Sequence, residues 1–274
     1  MKVKLAQKLG FCFGVRRAIK LAEKNKGGFT LGPLIHNYQE INRLKRDFDV
    51  ELKEDYNDIK DNTTLIIRTH GIPKQDLTHI RKKHVRIVDA TCPFVTKPQQ
   101  IVEQMSKEGY EIVIFGDQEH PEIKGVMSYA QNTATVVANL DELKTHSFKR
   151  KVALISQTTK QIDKFSQIAN YLIENCTEVR VFNTICNATF DNQRAARELS
   201  KEVDVMIVVG GKTSSNTKQL LMIALEHCKD SYLIEDENEI EPSWFVGKTL
   251  CGITAGASTP DWIVQNVHKY IEAI

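Results

Sequence analysis

Two stretches of this chain, VRIVDATC at 85–92 and VRVFNTIC at 179–186, are near copies of one another, each an apolar run ending in a cysteine. The match continues downstream of both. A helix-like stretch comes next, then an apolar run closed by glycine: EIVIFG after Cys92 and DVMIVVG after Cys186. Gly116 lies 24 residues beyond Cys92, and Gly210 lies 24 beyond Cys186. The N-terminus obeys the same plan more compactly, with KVKLA, Cys12, a helical pattern and FTLG ending at Gly32. Four residues past each glycine stands a polar residue at the start of the next helix: His36, His120 and Ser214. Each copy then has another strand ending in small polar residues, at His70 in IIRTHG, Thr158 in LISQTT and Ser258 in ITAGAS. Self-similarity of this kind means repeated supersecondary units. The third copy lacks its last strand, and KVKLA is available to supply it and close the ring.

Apolar runs at 65–68, 85–89, 111–116, 151–156, 179–183, 204–211 and 248–256 alternate with amphipathic patterns at 15–24, 98–109, 164–175 and 192–203. Strands that are almost continuously apolar belong to parallel sheets covered by helices. The expected class is therefore α/β: three similar α/β domains with mainly parallel sheets around a pseudo-threefold axis. Their expected bounds are 13–91, 92–185 and 186–274, the last completed by the N-terminal strand 1–12.

In open α/β sheets, ligands bind beyond the carboxyl ends of the strands, where helix N-termini present unpaired N–H groups. Units packed about a shared axis would turn Cys12, Cys92 and Cys186 toward one cavity. Three thiolates meeting there suit an iron-sulfur cluster, and three ligands for a four-iron cluster leave one iron with an open, Lewis-acidic position. A lone cysteine is more often a small buried hydrophobe, and that reading is kept for Cys176, Cys228 and Cys251, which do not recur in the repeat. The chain contains no CxxC, which disfavours a zinc ribbon.

The turns LGPLIHN, RTHGIP, GGKTSSNT and AGASTP collect hydroxyl, imidazole and amide donors of the kind that bind an anion. Helix capping alone accounts for many such hydroxyls. GGKTSSNT lacks the P-loop pattern, so nucleotide hydrolysis is not supported. In QEHPEIKG, Pro121 opens a helix and Glu122 falls in its first turn; beside His120, that carboxyl can act as a proton donor.

Composition excludes several classes. With a net charge of +2, no basic tail and no long apolar run, the chain is expected to bind neither nucleic acid nor membrane. The N-terminus has alternating charge and no apolar signal core, so the expected compartment is the cytoplasm.

Nine ordered motifs, GFCFGV, GPLIHN, RTHG, DATCP, EHPE, SQTT, TICNAT, SSN and AGASTP, span nearly the whole chain, which resembles the LytB family of hydroxymethylbutenyl diphosphate reductases. The resemblance implies an oxidoreductase at the last step of non-mevalonate isoprenoid synthesis, with one [4Fe-4S] cluster held by Cys12, Cys92 and Cys186. It implies a diphosphate gripped by His36, His70, Ser214, Ser215, Asn216 and Ser258, with His120 nearby. The substrate hydroxyl would meet the open iron beside Thr158 and Glu122, the proton donor. A single-electron carrier such as ferredoxin or flavodoxin is the implied partner; Arg16, Arg17 and Lys20 could help to dock it, although a solvated helix face is the commoner role of such residues. A hydro-lyase with an open cluster iron would use the same ligands without consuming electrons. An iron-sulfur carrier or sensor would have no use for the clustered anion donors, and a zinc-thiolate protein would be colourless.

Overall fold

The computed structural model describes residues 1–148 and 150–274. The chain opens with β1 (Lys2–Leu5) and α1 (Phe13–Lys24). A first series comes next: β2 (Phe29–Leu31), α2 (Tyr38–Phe48), β3 (Glu51–Lys53), β4 (Thr64–Ile67), α3 (Lys74–Ile80), β5 (Arg86–Asp89) and α4 (Pro93–Lys107). A second repeats it: β6 (Glu111–Phe115), α5 (Pro121–Met127), β7 (Thr135–Val137), α6 (Leu140–Lys144), β8 (Lys151–Ser156), α7 (Ile162–Asn175), β9 (Glu178–Val181) and α8 (Asn187–Ser200). The third comprises β10 (Val205–Val209), α9 (Ser215–Leu225), β11 (Ser231–Ile234), β12 (Leu250–Ala255) and α10 (Asp261–Ala273).

The twelve described strands form three four-stranded sheets with one strand order: β3-β2-β4-β5, β7-β6-β8-β9 and β11-β10-β12-β1. Every pairing among them is parallel. The expected α/β class with parallel sheets is thus observed. β1 pairs with β12 in the register Lys2 to Leu250 through Leu5 to Ile253, so the two ends of the chain share one sheet. The inner strands are the most apolar, because helices cover both of their faces. All five residues of β10 are buried, as are five of six in β8 and in β12.

Two compact units emerge. One contains Met1–Arg16, Ile35–Asn42 and Asn187–Ile274, with the sheet that includes β1; the other contains Arg17–Leu34 and Arg43–Cys186, with the remaining two sheets. In the first unit Ile207, Val209, Ile253, Ile263 and Val267 pack together in one core. In the second, Val113, Phe115, Leu154 and Leu172 do the same.

Two features differ from the sequence expectation. The helix expected from Pro98 begins at Pro93, where a proline at the first position needs no N–H partner, and Pro98 lies inside it. The edge strands β3, β7 and β11 are only three or four residues long, too short to show a period of their own. No described helix is long and apolar enough to cross a membrane.

Candidate functional site

Cys12, Cys92 and Cys186 occupy equivalent places. Each comes after the outer strand of a sheet and directly precedes a helix of 12, 15 or 14 residues, namely α1, α4 and α8. Each donates its backbone N–H to the turn after the neighbouring inner strand: Cys12 to the Ala257 carbonyl at 3.1 Å, Cys92 to Thr69 at 3.0 Å and Cys186 to Thr158 at 3.1 Å. The strand-to-cysteine path is therefore held by the same parallel ladder three times. Each cysteine thus stands at the N-terminal end of a helix, where backbone N–H groups point outward. All three side chains are partly exposed.

The other cysteines have a different setting. Cys176, Cys228 and Cys251 pack into hydrophobic clusters. Burial pushes the Cys251 thiol up to about 12, with Cys228 adding to the effect. Such a thiol is a packing group. Cys12, Cys92 and Cys186, each directly before a helix, fit the demands of an iron-sulfur group, whereas Cys176, Cys228 and Cys251, packed in apolar clusters, do not.

In the unit that carries β6 and β8, the turns after the strands assemble an acid. His120 caps α5: its Nδ1 accepts the backbone N–H of Glu122 at 3.2 Å. When neutral, the ring therefore holds its proton on Nε2. The His70 and His120 rings meet edge to face with centroids 5.4 Å apart. Glu122 is only 2% exposed. Thr158 donates its backbone N–H to Oε1 at 2.7 Å and its hydroxyl to Oε2 at 2.6 Å. Burial raises the Glu122 pKa above the ordinary carboxylate value, and the two Thr158 bonds oppose that rise. The Thr158 carbonyl in turn accepts the Cys186 N–H, so acid, hydroxyl and cysteine lie on one short chain of contacts.

In the unit that carries β10 and β12, the expected anion residues sit on three turns. Ser214 caps α9, its hydroxyl accepting from the Thr217 N–H at 3.3 Å. Ser215 and Asn216 form the first turn of that helix. The Ser258 hydroxyl donates to the His36 carbonyl at 3.1 Å. A Cβ on Gly211 would stand 2.5 Å from that same carbonyl oxygen, so the His36 loop lies directly on the glycine. Asn216 is 4% exposed, yet neither Nδ2 nor Oδ1 meets a partner among the described residues. A buried amide left with both ends unmet is costly unless a ligand completes it.

Two threonines that lie inside the motifs RTHG and TICNAT, but were given no role there, hold these turns in place. Thr69 donates its hydroxyl to the Leu34 carbonyl at 2.9 Å, fixing the loop after β2. The Thr184 hydroxyl bonds both backbone groups of Ser156. Each is a buried threonine near a cysteine turn, and only its place within a repeated motif could have marked it.

Comparison with known proteins places the whole chain in one family. Residues 3–272 match the family model described as LytB protein. The chain is 66% identical to the 4-hydroxy-3-methylbut-2-enyl diphosphate reductase of Helicobacter pylori strain P12 over 274 residues, all of both chains. It is 62% identical to the enzyme of that name from Wolinella succinogenes over 272 residues, 99% of each. A solved (E)-4-hydroxy-3-methyl-but-2-enyl diphosphate reductase, described as the terminal enzyme of the non-mevalonate pathway, superimposes with TM-score 0.71, 40% identity and full coverage of both chains. The Plasmodium falciparum reductase superimposes with TM-score 0.91 at 27% identity, covering 99% of this chain and 87% of that one. The family model and these relatives cover essentially the whole length, and the chain belongs to the LytB family.

Proposed function

We propose that this chain reduces (E)-4-hydroxy-3-methylbut-2-enyl diphosphate in the cytoplasm, at the end of the non-mevalonate route to isoprenoids. Two electrons and two protons enter; the allylic C–O bond breaks, the hydroxyl leaves as water, and a new C–H bond gives isopentenyl or dimethylallyl diphosphate. The observation that carries this reading is the buried carboxyl of Glu122, held by Thr158, whose own carbonyl receives the Cys186 N–H.

Cys12, Cys92 and Cys186 would hold a [4Fe-4S] cluster, which when bound supplies electrons one at a time and one Lewis-acidic iron without a cysteine ligand. The remaining work falls to the side chains. Glu122 stores a proton where an exposed carboxylate could not, because burial raises its pKa. The 2.6 Å contact with Thr158 passes that proton in either direction. With the carboxyl charged the hydroxyl donates; with the carboxyl protonated the roles reverse. A departing hydroxyl placed there leaves as water and not as an expensive anion.

The diphosphate end is assigned to His36, His70, Ser214, Ser215, Asn216 and Ser258, with His120 presenting Nε2–H. The unmet Asn216 amide and the α9 N-terminus support this assignment, since both favour a bound anion. The electron donor is an acidic one-electron carrier of the ferredoxin or flavodoxin type.

Anaerobically reconstituted protein with a chemical reductant is expected to convert the hydroxylated substrate into the two five-carbon diphosphates, read by mass spectrometry. Iron-containing protein that gives no turnover, or that releases water while leaving the reductant unconsumed, would place the chain outside this reaction.

A further inference from the structure

Arg68 is the charged residue nearest in sequence to His70 and has no role in the proposed reaction. It lies just after β4 and opens the turn Arg68–Thr69–His70–Gly71. That turn is closed twice over. The Gly71 N–H donates to the Arg68 carbonyl at 3.0 Å, and the Arg68 side chain reaches back, Nε donating to the Gly71 carbonyl at 3.2 Å. Gly71 adopts φ +72°, in the region that favours glycine. The guanidinium lies against the end of β2, where a Cβ on Gly32 would fall 2.5 Å from Nη1. Gly32 also has φ +72°, so both the backbone angle and the arginine require a glycine. The side chain is therefore fixed at both ends, by the turn it closes and by the strand it covers.

Its charge is only loosely balanced. Arg68 is half-buried, and burial pushes its pKa down while the more distant Glu54 and Asp76 oppose the shift. No carboxylate forms an ion pair with it among the described residues. A partly desolvated cation without a close counter-ion costs free energy, which a nearby anion would recover. The adjoining turn residues are already committed: Thr69 donates to Leu34 and receives the Cys92 N–H. The Gly71 position is hemmed in by Thr91 and Gln99. His70 is thus the one side chain of this turn directed to a ligand in the proposed reaction, and Arg68 determines the shape of the loop that presents it.

We propose that Arg68 is a positioning residue of the diphosphate site, locking the turn that carries His70 and adding a positive charge to that turn. This rests on the proposed diphosphate assignment. A lysine cannot replace the arginine in full. It keeps the charge but loses the planar fork, in which Nε closes the turn while Nη1 lies against Gly32.

The test uses full-length, anaerobically reconstituted protein and its Arg68→Met and Arg68→Lys variants. Inorganic pyrophosphate is the binding probe, and steady-state turnover of the allylic substrate is the second readout. Arg68→Met should weaken pyrophosphate binding and raise KM by about tenfold while kcat stays within about threefold, as expected for lost positioning and charge on one anion. Arg68→Lys should fall between the two proteins. Should Arg68→Met fail to fold, the lysine variant decides: about threefold weaker binding supports the role, and parental affinity overturns it. Unchanged pyrophosphate affinity in a folded Arg68→Met protein overturns the proposal, whether or not its Tm has fallen. A parent protein that does not bind pyrophosphate removes the diphosphate assignment itself, and the role of Arg68 with it.

Discussion

Replacing Glu122 by glutamine isolates the proton from everything else the residue does. Glutamine has the same shape and keeps Oε1 for the Thr158 N–H, now 2.7 Å away. Its amide would face the Thr158 hydroxyl across the present 2.6 Å contact, and the hydroxyl can turn from donor to acceptor. Both bonds survive in number. With a net hydrogen bond worth about 1 kcal/mol, stability should change by no more than about that amount, and the burial cost of a carboxylate is relieved. The reaction should suffer far more. Loss of a positioned general acid costs about 10²- to 10⁴-fold in rate, or roughly 3 to 5.5 kcal/mol of barrier. Anaerobic turnover, thermal unfolding, iron content and pyrophosphate affinity should be measured on one preparation. A large fall in kcat with the other three quantities unchanged is expected. Activity within about tenfold of the parent would remove Glu122 from the proton-donor role, and joint loss of rate and iron would make it a structural residue.

The same geometry has other consequences. Because burial raises the Glu122 pKa, kcat/KM should fall as pH rises through that raised value, and folding stability should fall over the interval from the unfolded carboxyl value up to it. Thr158→Val removes a bond that lowers the Glu122 pKa, so the falling limb should move to higher pH; a limb left in place would show that another group titrates. Gly211→Ala puts a methyl group 2.5 Å from the His36 carbonyl oxygen, and it should lower stability by about 1–3 kcal/mol and weaken pyrophosphate binding. Parental affinity in that variant would show that the His36 loop does not shape the anion cradle. Cys251 is fully buried with its thiol pushed up to about 12, so iodoacetamide at neutral pH should leave it unmodified in the folded protein. Rapid labelling of Cys251 would contradict its assignment to the core.

Most of the architecture was legible because the repeat preserved order as well as composition. VRIVDATC and VRVFNTIC became β5 and β9 with their cysteine turns, and the glycine-closed runs became the inner strands β6 and β10. Fully buried parallel strands announce themselves as unbroken apolar runs, and the 151–156 run is β8 residue for residue. The edge strands could not be seen this way. β3, β7 and β11 are brief, and each pairs with a single strand, the one just before it in the chain, so none carries the unbroken apolar run of an inner strand. At the site, residue types and spacing pointed to Glu122 and Thr158. The two bonds between them could be found only by folding, since 36 residues separate the partners. The clamp from Arg68 to Gly71 was equally hidden, because a charged residue at a strand end looks like any solvated one.

If three matched cysteine turns hold one cluster with a reactive position near Glu122, iron and substrate must meet at the same place. Iron analysis of anaerobic protein, with the absorption spectrum recorded before and after substrate is added, decides this. About four irons per chain are expected, with a brown chromophore and a spectrum that changes on substrate binding. Protein that takes up no iron under these conditions, or whose spectrum ignores the substrate, would contradict the cluster assignment.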